Sequence, residues 1–184
     1  RLNERVKYRE AIRPLAPMAT LEAAHRYFDL HAGASDADYN AYNYMVLTAP
    51  SKPAARDKIP AVIHADGTGR IQIVRAEDDP LTHAYLKALG RHIGVEISVN
   101  TSFNVAGPIA QTPRQAIDTL RRASGLDAVL LVAGDGTVTA ANASAGFNPA
   151  SRPHWSVSGS SSSSAVAPGS ASANGTCLAS SSTG

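Results

Sequence analysis

Charge runs out of this chain before the residues do. From Asn148 to Gly184 the sequence carries a single charged side chain, Arg152, and passes through the run Ser160 to Ser164 into Ala, Ser, Gly and Pro. A segment of that composition cannot bury enough apolar surface to offset the roughly 1–2 kcal/mol per residue that ordering it costs. Any core must come from the charge-bearing part that precedes it. We expect residues 1–142 to fold as one domain and residues 143–184 to form a flexible, low-complexity tail. Trp155 and Cys177, the only Trp and the only Cys, fall in that tail, so Cys177 reads as inert rather than catalytic. The triplet Asn174-Gly175-Thr176 has the form of a glycosylation acceptor and, without a signal segment, reads as chance.

One cysteine excludes a disulfide framework and any Cys-based zinc site. Lys and Arg number 17 against 15 Asp and Glu, a formal net charge of +2. That balance gives no reason to expect a nucleic acid or a membrane as partner. No run reaches the ~18 apolar residues that cross a bilayer, and no basic-then-apolar signal opens the chain. The default compartment is cytoplasmic. The first residue is Arg1, which reads as a piece of something longer.

The folded part reads as mixed α and β. Thr20 to Phe28 has the capping Thr and the three-and-four apolar spacing of a short helix. Tyr44 to Thr48 and Ile59 to Ile63 are short apolar runs read as strands. In Arg70 to Val74 the alternation of Ile71 and Ile73 predicts a half-exposed strand, with Asp66-Gly67-Thr68-Gly69 as a hairpin turn before it. Asp79 to Ile93 is predicted helical, with Asp79 as cap and Pro80 at the first helical position. Leu81, Tyr85, Leu89 and His92 would share one face, and Gly94 would end the helix. Val95 to Val99 reads as a buried strand. Thr112-Pro113 opens a helix through Ala116, Ile117, Leu120 and Ala123, with Gly125 beyond its end. Asp127 to Val132 is the last clear strand, paired with Thr137 to Ala141 across Asp135-Gly136. Strands alternating with helices at this spacing predict an α/β sheet covered on at least one face.

Three segments carry candidate chemistry. In Lys7-Tyr8-Arg9, with Arg13 beyond, an extended backbone would put Lys7 and Arg9 on one face and Val6 and Tyr8 on the other. Two cations side by side repel by about 4 kcal/mol at roughly 4 Å and an effective dielectric near 20, so an anion between them is one reading. A solvated helix face with Glu4 and Glu10 as partners is the other. His64-Ala65-Asp66-Gly67-Thr68-Gly69-Arg70 holds an imidazole, a carboxylate, a hydroxyl and a guanidinium, and its His and Asp could bind metal or exchange protons. Asp66 and Gly67 can equally be plain turn formers. Asn100-Thr101-Ser102-Phe103-Asn104 follows a strand, where open α/β sheets place ligands. Its amides, hydroxyls and backbone N–H groups suit phosphate oxygens or a phosphate-bound magnesium, or form a polar loop over a buried Phe103. His25, His31, His83, His92 and His154 fall at no metal-ligand spacing, and His83 and His92 read as structural.

In order along the chain, these segments resemble the C-terminal region of the O-carbamoyltransferases of natural-product biosynthesis, which act on nodulation factors, cephalosporin-type antibiotics and aminoglycosides. The matching text is Asn3-Glu4-Arg5-Val6-Lys7-Tyr8-Arg9-Glu10 with Arg13-Pro14-Leu15-Ala16-Pro17, then Ile59 to Gln72 around His64-Ala65-Asp66-Gly67-Thr68-Gly69-Arg70, then Asn100 to Val105. It spans roughly Arg1 to Val132. The family usually reads Val and Ala where this chain has Ala65 and Gly69, and Gly-Glu-Pro where Gly107 runs straight into Pro108.

The resemblance implies a YrdC-like fold, a twisted open mixed sheet with flanking helices. It also implies that Lys7-x-Arg9 and Ser102-x-Asn104 bind the phosphates of an acyl adenylate. Lys7, Arg9, Arg13 and Arg70 would form the cationic, catalytic set. Ser102, Asn104, Asn100 and Thr101 would bind nucleotide phosphate, and His64 and Asp66 would shape the site, with no metal held by this domain itself. The implied substrates are ATP, with magnesium on its phosphates, carbamoyl phosphate, and a hydroxyl of a small-molecule acceptor. A separate N-terminal actin-like ATPase domain, carrying iron or another metal and a second nucleotide site, would complete the transfer. Three other readings stay open: a threonylcarbamoyl-adenylate synthase acting in tRNA modification, a non-catalytic phosphate- or RNA-binding module, and a folded remnant inactive without its partner domain. The wording of the His64 and Asn100 segments argues against the first and the near-neutral charge against the second.

Overall fold

The computed structural model describes residues 1–35 and 41–143. The tail expected over 143–184 lies, Ala143 apart, outside the described residues, as do His154, Trp155 and Cys177. The chain divides into two compact units, Ile12–Thr101, and Arg1–Ala11 with the residues from Ser102 onward.

In the unit Ile12–Thr101 the elements are β1 (Ala16–Thr20), α1 (Leu21–Tyr27), β2 (Ala49–Pro50), α2 (Pro53–Lys58), β3 (Thr68–Gly69), β4 (Gln72–Val74), α3 (Pro80–Ile93) and β5 (Ile97–Asn100). β1 is central, parallel to β4 and antiparallel to β5. Every residue of β1 is buried, and none of it was expected as a strand. Its sequence, Ala-Pro-Met-Ala-Thr, shows no alternation, and a Pro argues against a central strand. The register explains the Pro. Thr20 N donates to Glu96 O at 3.3 Å, so by the alternation of an antiparallel ladder Met18 also bonds towards β5 while Pro17 and Ala19 face β4. The β4 ladder begins only at Met18↔Gln72, so the N–H that Pro17 lacks costs no bond.

Thr20 also starts α1. Its hydroxyl accepts from Ala23 N at 3.2 Å and donates to Glu96 Oε2 at 2.7 Å, and Lys87 Nζ lies 2.8 Å from Glu96 Oε1. Burial pushes the Glu96 carboxyl up, but the bonds from Lys87 and Thr20 outweigh it and hold the carboxyl below its ordinary value. α3 begins as expected, with Asp79 Oδ1 accepting from Thr82 N at 2.9 Å and Gly94 as its C-cap. Its buried face differs. Leu86 is fully buried, whereas Leu81 is 59% exposed and His92 is exposed.

The two apolar runs expected as strands are not strands. Ala41–Tyr44 is a 3-10 turn, Met45 takes a left-handed φ of 54°, and Val46 to Thr48 are exposed. Pairing starts only at β2. Pro60–Val62 is also a 3-10 turn, whose period of three puts Ile59 and Val62 into the core together. The turn at Asp66 forms, but it does not join its flanking runs as a hairpin, because β3 pairs with β2. The strand expected over 70–74 narrows to β4. Packed beside β1, it buries Ile73 and Val74 as well as the preceding Ile71. The buried strand expected at 95–99 begins two residues later, with only Ile97 buried. Instead of one covered sheet, the described strands form a three-stranded sheet and two two-stranded ones.

The second unit contains α4 (Pro113–Arg122), β6 (Ala128–Val132) and β7 (Val138–Asn142). α4 matches its sequence signals. Thr112 Oγ1 accepts from Gln115 N and Gln115 Oε1 accepts from Thr112 N, a capping box. Ala116, Ile117, Leu120 and Ala123 are buried with Val6, Val105 and Val129. β6 and β7 pair antiparallel across the expected Asp135-Gly136 turn. Gly125 N donates to Arg5 O at 3.1 Å, and a Cβ on Gly125 would come within 2.5 Å of Arg5 Cβ. Gly125→Ala is therefore expected to cost about 1–3 kcal/mol by overpacking. A urea titration should show a lower midpoint at unchanged slope; an unmoved midpoint would mean the Leu2–Val6 turn does not pack there.

Candidate functional site

The first candidate site is built around Lys7. Leu2–Val6 forms one π-helical turn. Lys7 closes it, with its N–H bonded to Leu2 O at 3.0 Å, and Tyr8 reverses the chain at a left-handed φ of 47°. The stretch is therefore not extended, and the one-face placement of Lys7 and Arg9 that an extended backbone would give does not apply. The turn sends Val6 and Lys7 inward and Tyr8 outward. The Tyr8 hydroxyl donates to Arg122 O at 3.0 Å and accepts from Ser124 N at 3.3 Å. Contacts with Ser124, its hydroxyl first and then its backbone N–H, hold the phenol below its usual range.

Lys7 is 7% exposed. Its Nζ donates to Ser102 O, to Ser102 Oγ at 3.0 Å, to Asn104 O at 3.1 Å and to Asn104 Oδ1. Asn104 Oδ1 also accepts from Ser102 Oγ at 2.9 Å, and Asn104 Nδ2 donates to Gly107 O. The Lys7 motif and the Ser102-x-Asn104 motif, more than 90 residues apart, thus form one hydrogen-bonded cluster within one unit. Ala106 beside it also takes a left-handed φ, of 41°. Tyr8 and Ala106 are two of the three non-Gly residues at positive φ among the described residues, a conformation costing on the order of 1 kcal/mol or more each. Backbone strain thus falls on both motifs.

Arg9 is held from behind. Its Nε donates to Asn3 Oδ1 at 2.8 Å and its N–H to Asn3 O at 3.0 Å, while Asn3 Nδ2 donates to Ala11 O at 3.0 Å. Asn3 is buried. Nothing in its sequence position marks this role, which only burial and both ends of the amide reveal. The four oxygens bonded to Lys7 Nζ belong to two carbonyls, a hydroxyl and a carboxamide. The ammonium suits the loop to an anion, because a magnesium ion on Ser102 or Asn104 would face it directly.

The second candidate site lies in the unit Ile12–Thr101. The Asp66 turn is closed by His64 N donating to Thr68 O at 2.8 Å and Gly67 N donating to His64 O at 2.9 Å. Asp66 Oδ1 accepts from Thr68 N at 2.9 Å and from Thr68 Oγ1 at 2.8 Å. Those two bonds, the backbone one first, hold the Asp66 carboxyl below its ordinary value. Thr68 Oγ1 also lies 3.1 Å from His64 Nδ1. His64 Nε2 is buried without a hydrogen-bond partner. Arg70 and Arg13 are exposed residues of this unit. Asn100 gives its Nδ2 to Gln72 Oε1 at 2.5 Å, tying β5 to β4 across β1. Thr101 is half-buried. Among the described residues no group of three or more His, Cys, Asp or Glu is placed to hold a metal ion, and no helix is long and apolar enough to cross a membrane.

These features define a mixed α/β protein whose basic Lys-x-Arg turn is bonded to a Ser-x-Asn loop. The chain belongs to the family described as the carbamoyltransferase C-terminus, which matches residues 1–137. Nodulation protein NolO of Bradyrhizobium diazoefficiens is 35% identical over 120 residues, 65% of this chain and 21% of that protein. Nodulation protein U of Rhizobium tropici is 34% identical over 106 residues, 58% of this chain and 17% of that protein. The 3'-hydroxymethylcephem-O-carbamoyltransferase of Amycolatopsis lactamdurans is 36% identical over 107 residues, 58% of this chain and 18% of that protein. The chain spans about a fifth of the length of these curated relatives.

Proposed function

We propose that this chain is the carbamoyl-adenylate-forming part of a cytoplasmic O-carbamoyltransferase with a YrdC-like fold. ATP, carried as its magnesium complex, and carbamoyl phosphate are its substrates. The carbamoyl group then passes to a hydroxyl of a small-molecule natural product on an N-terminal actin-like ATPase domain of the longer protein, where any iron or other resident metal belongs. The observation that carries this reading is the Lys7–Ser102–Asn104 cluster, which joins two motifs of the matched family span through one buried ammonium. The name of the cephem relative, a 3'-hydroxymethylcephem-O-carbamoyltransferase, supports a hydroxyl acceptor.

Water first cleaves carbamoyl phosphate to carbamate and inorganic phosphate; in the adenylate-forming step a carbamate oxygen then bonds to the α-phosphorus of ATP while the bond to pyrophosphate breaks, and pyrophosphate leaves with the electron pair. Both reactants are anions, so catalysis is mostly positioning and charge neutralisation. Lys7 fixes the Ser102–Asn104 loop and supplies positive charge behind it. The Ser102 hydroxyl and Asn104 carboxamide face phosphate oxygens, and Arg9, pinned by Asn3, adds a guanidinium suited to phosphate. Asn100 and Thr101 lead into that loop. Arg13 and Arg70 are the further anion-binding cations, on the other unit, and Asp66 shapes its turn.

The test is pyrophosphate release from ATP with and without carbamoyl phosphate, for the unaltered chain, Arg9→Ala and Ser102→Ala. Release should require carbamoyl phosphate, and losing one charge-stabilising donor should lower it by roughly 100-fold or more. Release indifferent to carbamoyl phosphate would refute the reading. So would release equal in the variants, or none even with the N-terminal portion of such a transferase supplied.

A further inference from the structure

We infer that His64 Nε2 accepts a hydrogen bond from the N–H of a carbamoyl group, and so selects carbamoyl over acyl groups with a methyl in that place; this rests on the carbamoyl reading above. Among the described residues, Nε2 is the buried side-chain nitrogen or oxygen atom left without a partner. Buried polar groups are nearly always bonded, and an orphan in a native fold asks for a reason. The neighbouring atoms fix what this orphan can do. Ionised Asp66 only accepts, so the 2.8 Å contact from Thr68 Oγ1 takes the hydroxyl proton. Thr68 Oγ1 then has only lone pairs to offer His64, and the 3.1 Å contact requires the proton on Nδ1. In the neutral ring this leaves Nε2 with a bare lone pair, an acceptor waiting for a donor.

The setting limits the donor. With no cluster of metal-binding side chains among the described residues, a metal ion would have too few protein ligands. Nε2 is closed to water in this structure, so its partner arrives as part of a ligand that moves a side chain aside. The turn itself lies at the surface, with Ala65, Asp66 and Arg70 exposed. Carbamoyl and acetyl groups share a carbonyl and nearly the same shape, and differ in an NH2 against a CH3. A buried acceptor is the feature that separates them, because the methyl leaves the lone pair unpaired while the amide N–H satisfies it.

The experiment uses the full chain with 15N-labelled histidine. Long-range proton–nitrogen spectra near neutral pH should show His64 protonated at Nδ1 and bare at Nε2. Adding carbamoyl phosphate should shift the Nε2 resonance in the direction of hydrogen-bond acceptance. Acetyl phosphate should leave it in place and bind roughly tenfold to a hundredfold more weakly. His64→Leu should bring the two affinities together, and Thr68→Val, which keeps the imidazole, should mix the tautomers and reduce the preference. Carbamoyl phosphate bound with Nε2 unmoved, a proton found on Nε2, or full selectivity in His64→Leu would overturn this inference and leave the proposed function standing. No binding of carbamoyl phosphate at all would overturn both.

Discussion

Lys7→Met is expected to lower the stability of the unit containing Arg1–Ala11 and Ser102 onward by about 3 kcal/mol and to abolish carbamoyl-phosphate-dependent pyrophosphate release. Methionine keeps much of the stem and removes the ammonium. Ser102 O, Ser102 Oγ, Asn104 O and Asn104 Oδ1 then lose their shared donor. A buried acceptor left unpaired costs roughly 1–3 kcal/mol; the total is less than four such terms because the Ser102–Gly107 loop can open to water. The same opening destroys the loop geometry on which phosphate binding is proposed to depend. Lys7→Arg keeps the charge, but its planar fork does not match four oxygens gathered around one nitrogen, so it should recover part of the stability and little of the activity. Urea titration and the pyrophosphate assay read the two effects separately. A methionine variant as stable as the parent would show that the ammonium does not organise this loop.

The elements that the sequence revealed are those with local chemical signals. Asp79-Pro80 and Thr112-Pro113 mark the starts of α3 and α4 because capping and proline at the first turn act within a few residues. The Asp135-Gly136 turn set the β6–β7 pairing in the same way. β1 could not be read, because five buried residues flanked by partners on both sides show no alternation, and Pro17 is tolerated only through a ladder that starts one residue later. The runs 44–48 and 59–63 misled because apolar content without a period cannot separate a strand from a 3-10 turn. In the candidate sites, Asp66 was legible as a turn former. Family resemblance, not spacing, linked Lys7 to Ser102 and Asn104. The roles of Asn3 and Thr68 follow from hydrogen bonds to residues whose positions only the fold determines.

Phe28→Ala should be the most damaging apolar truncation in the unit Ile12–Thr101, costing about 3–5 kcal/mol. Phe28 is fully buried, caps the end of α1 and bridges to Ser51. Its ring occupies the space a side chain at position 69 would need, since a Cβ on Gly69 would lie 2.6 Å from Phe28 Cε1 and 3.1 Å from Cζ. Gly69→Ala should therefore cost about 1–3 kcal/mol with the ring in place, even though the resembled family usually carries Ala there. Trimming the ring makes room, so Phe28→Leu combined with Gly69→Ala should destabilise less than the sum of the two single changes, by roughly 1 kcal/mol or more. Strict additivity in urea titrations would show that the ring and position 69 do not meet. The contact also reaches the chemistry. Gly69 follows Thr68 in β3, and Thr68 Oγ1 makes the 3.1 Å contact to His64 Nδ1 from which the single tautomer is inferred above. A chain weakened at Phe28 should lose the single tautomer of His64 in the nitrogen spectrum at denaturant concentrations below the unfolding midpoint, because the turn is released before the core.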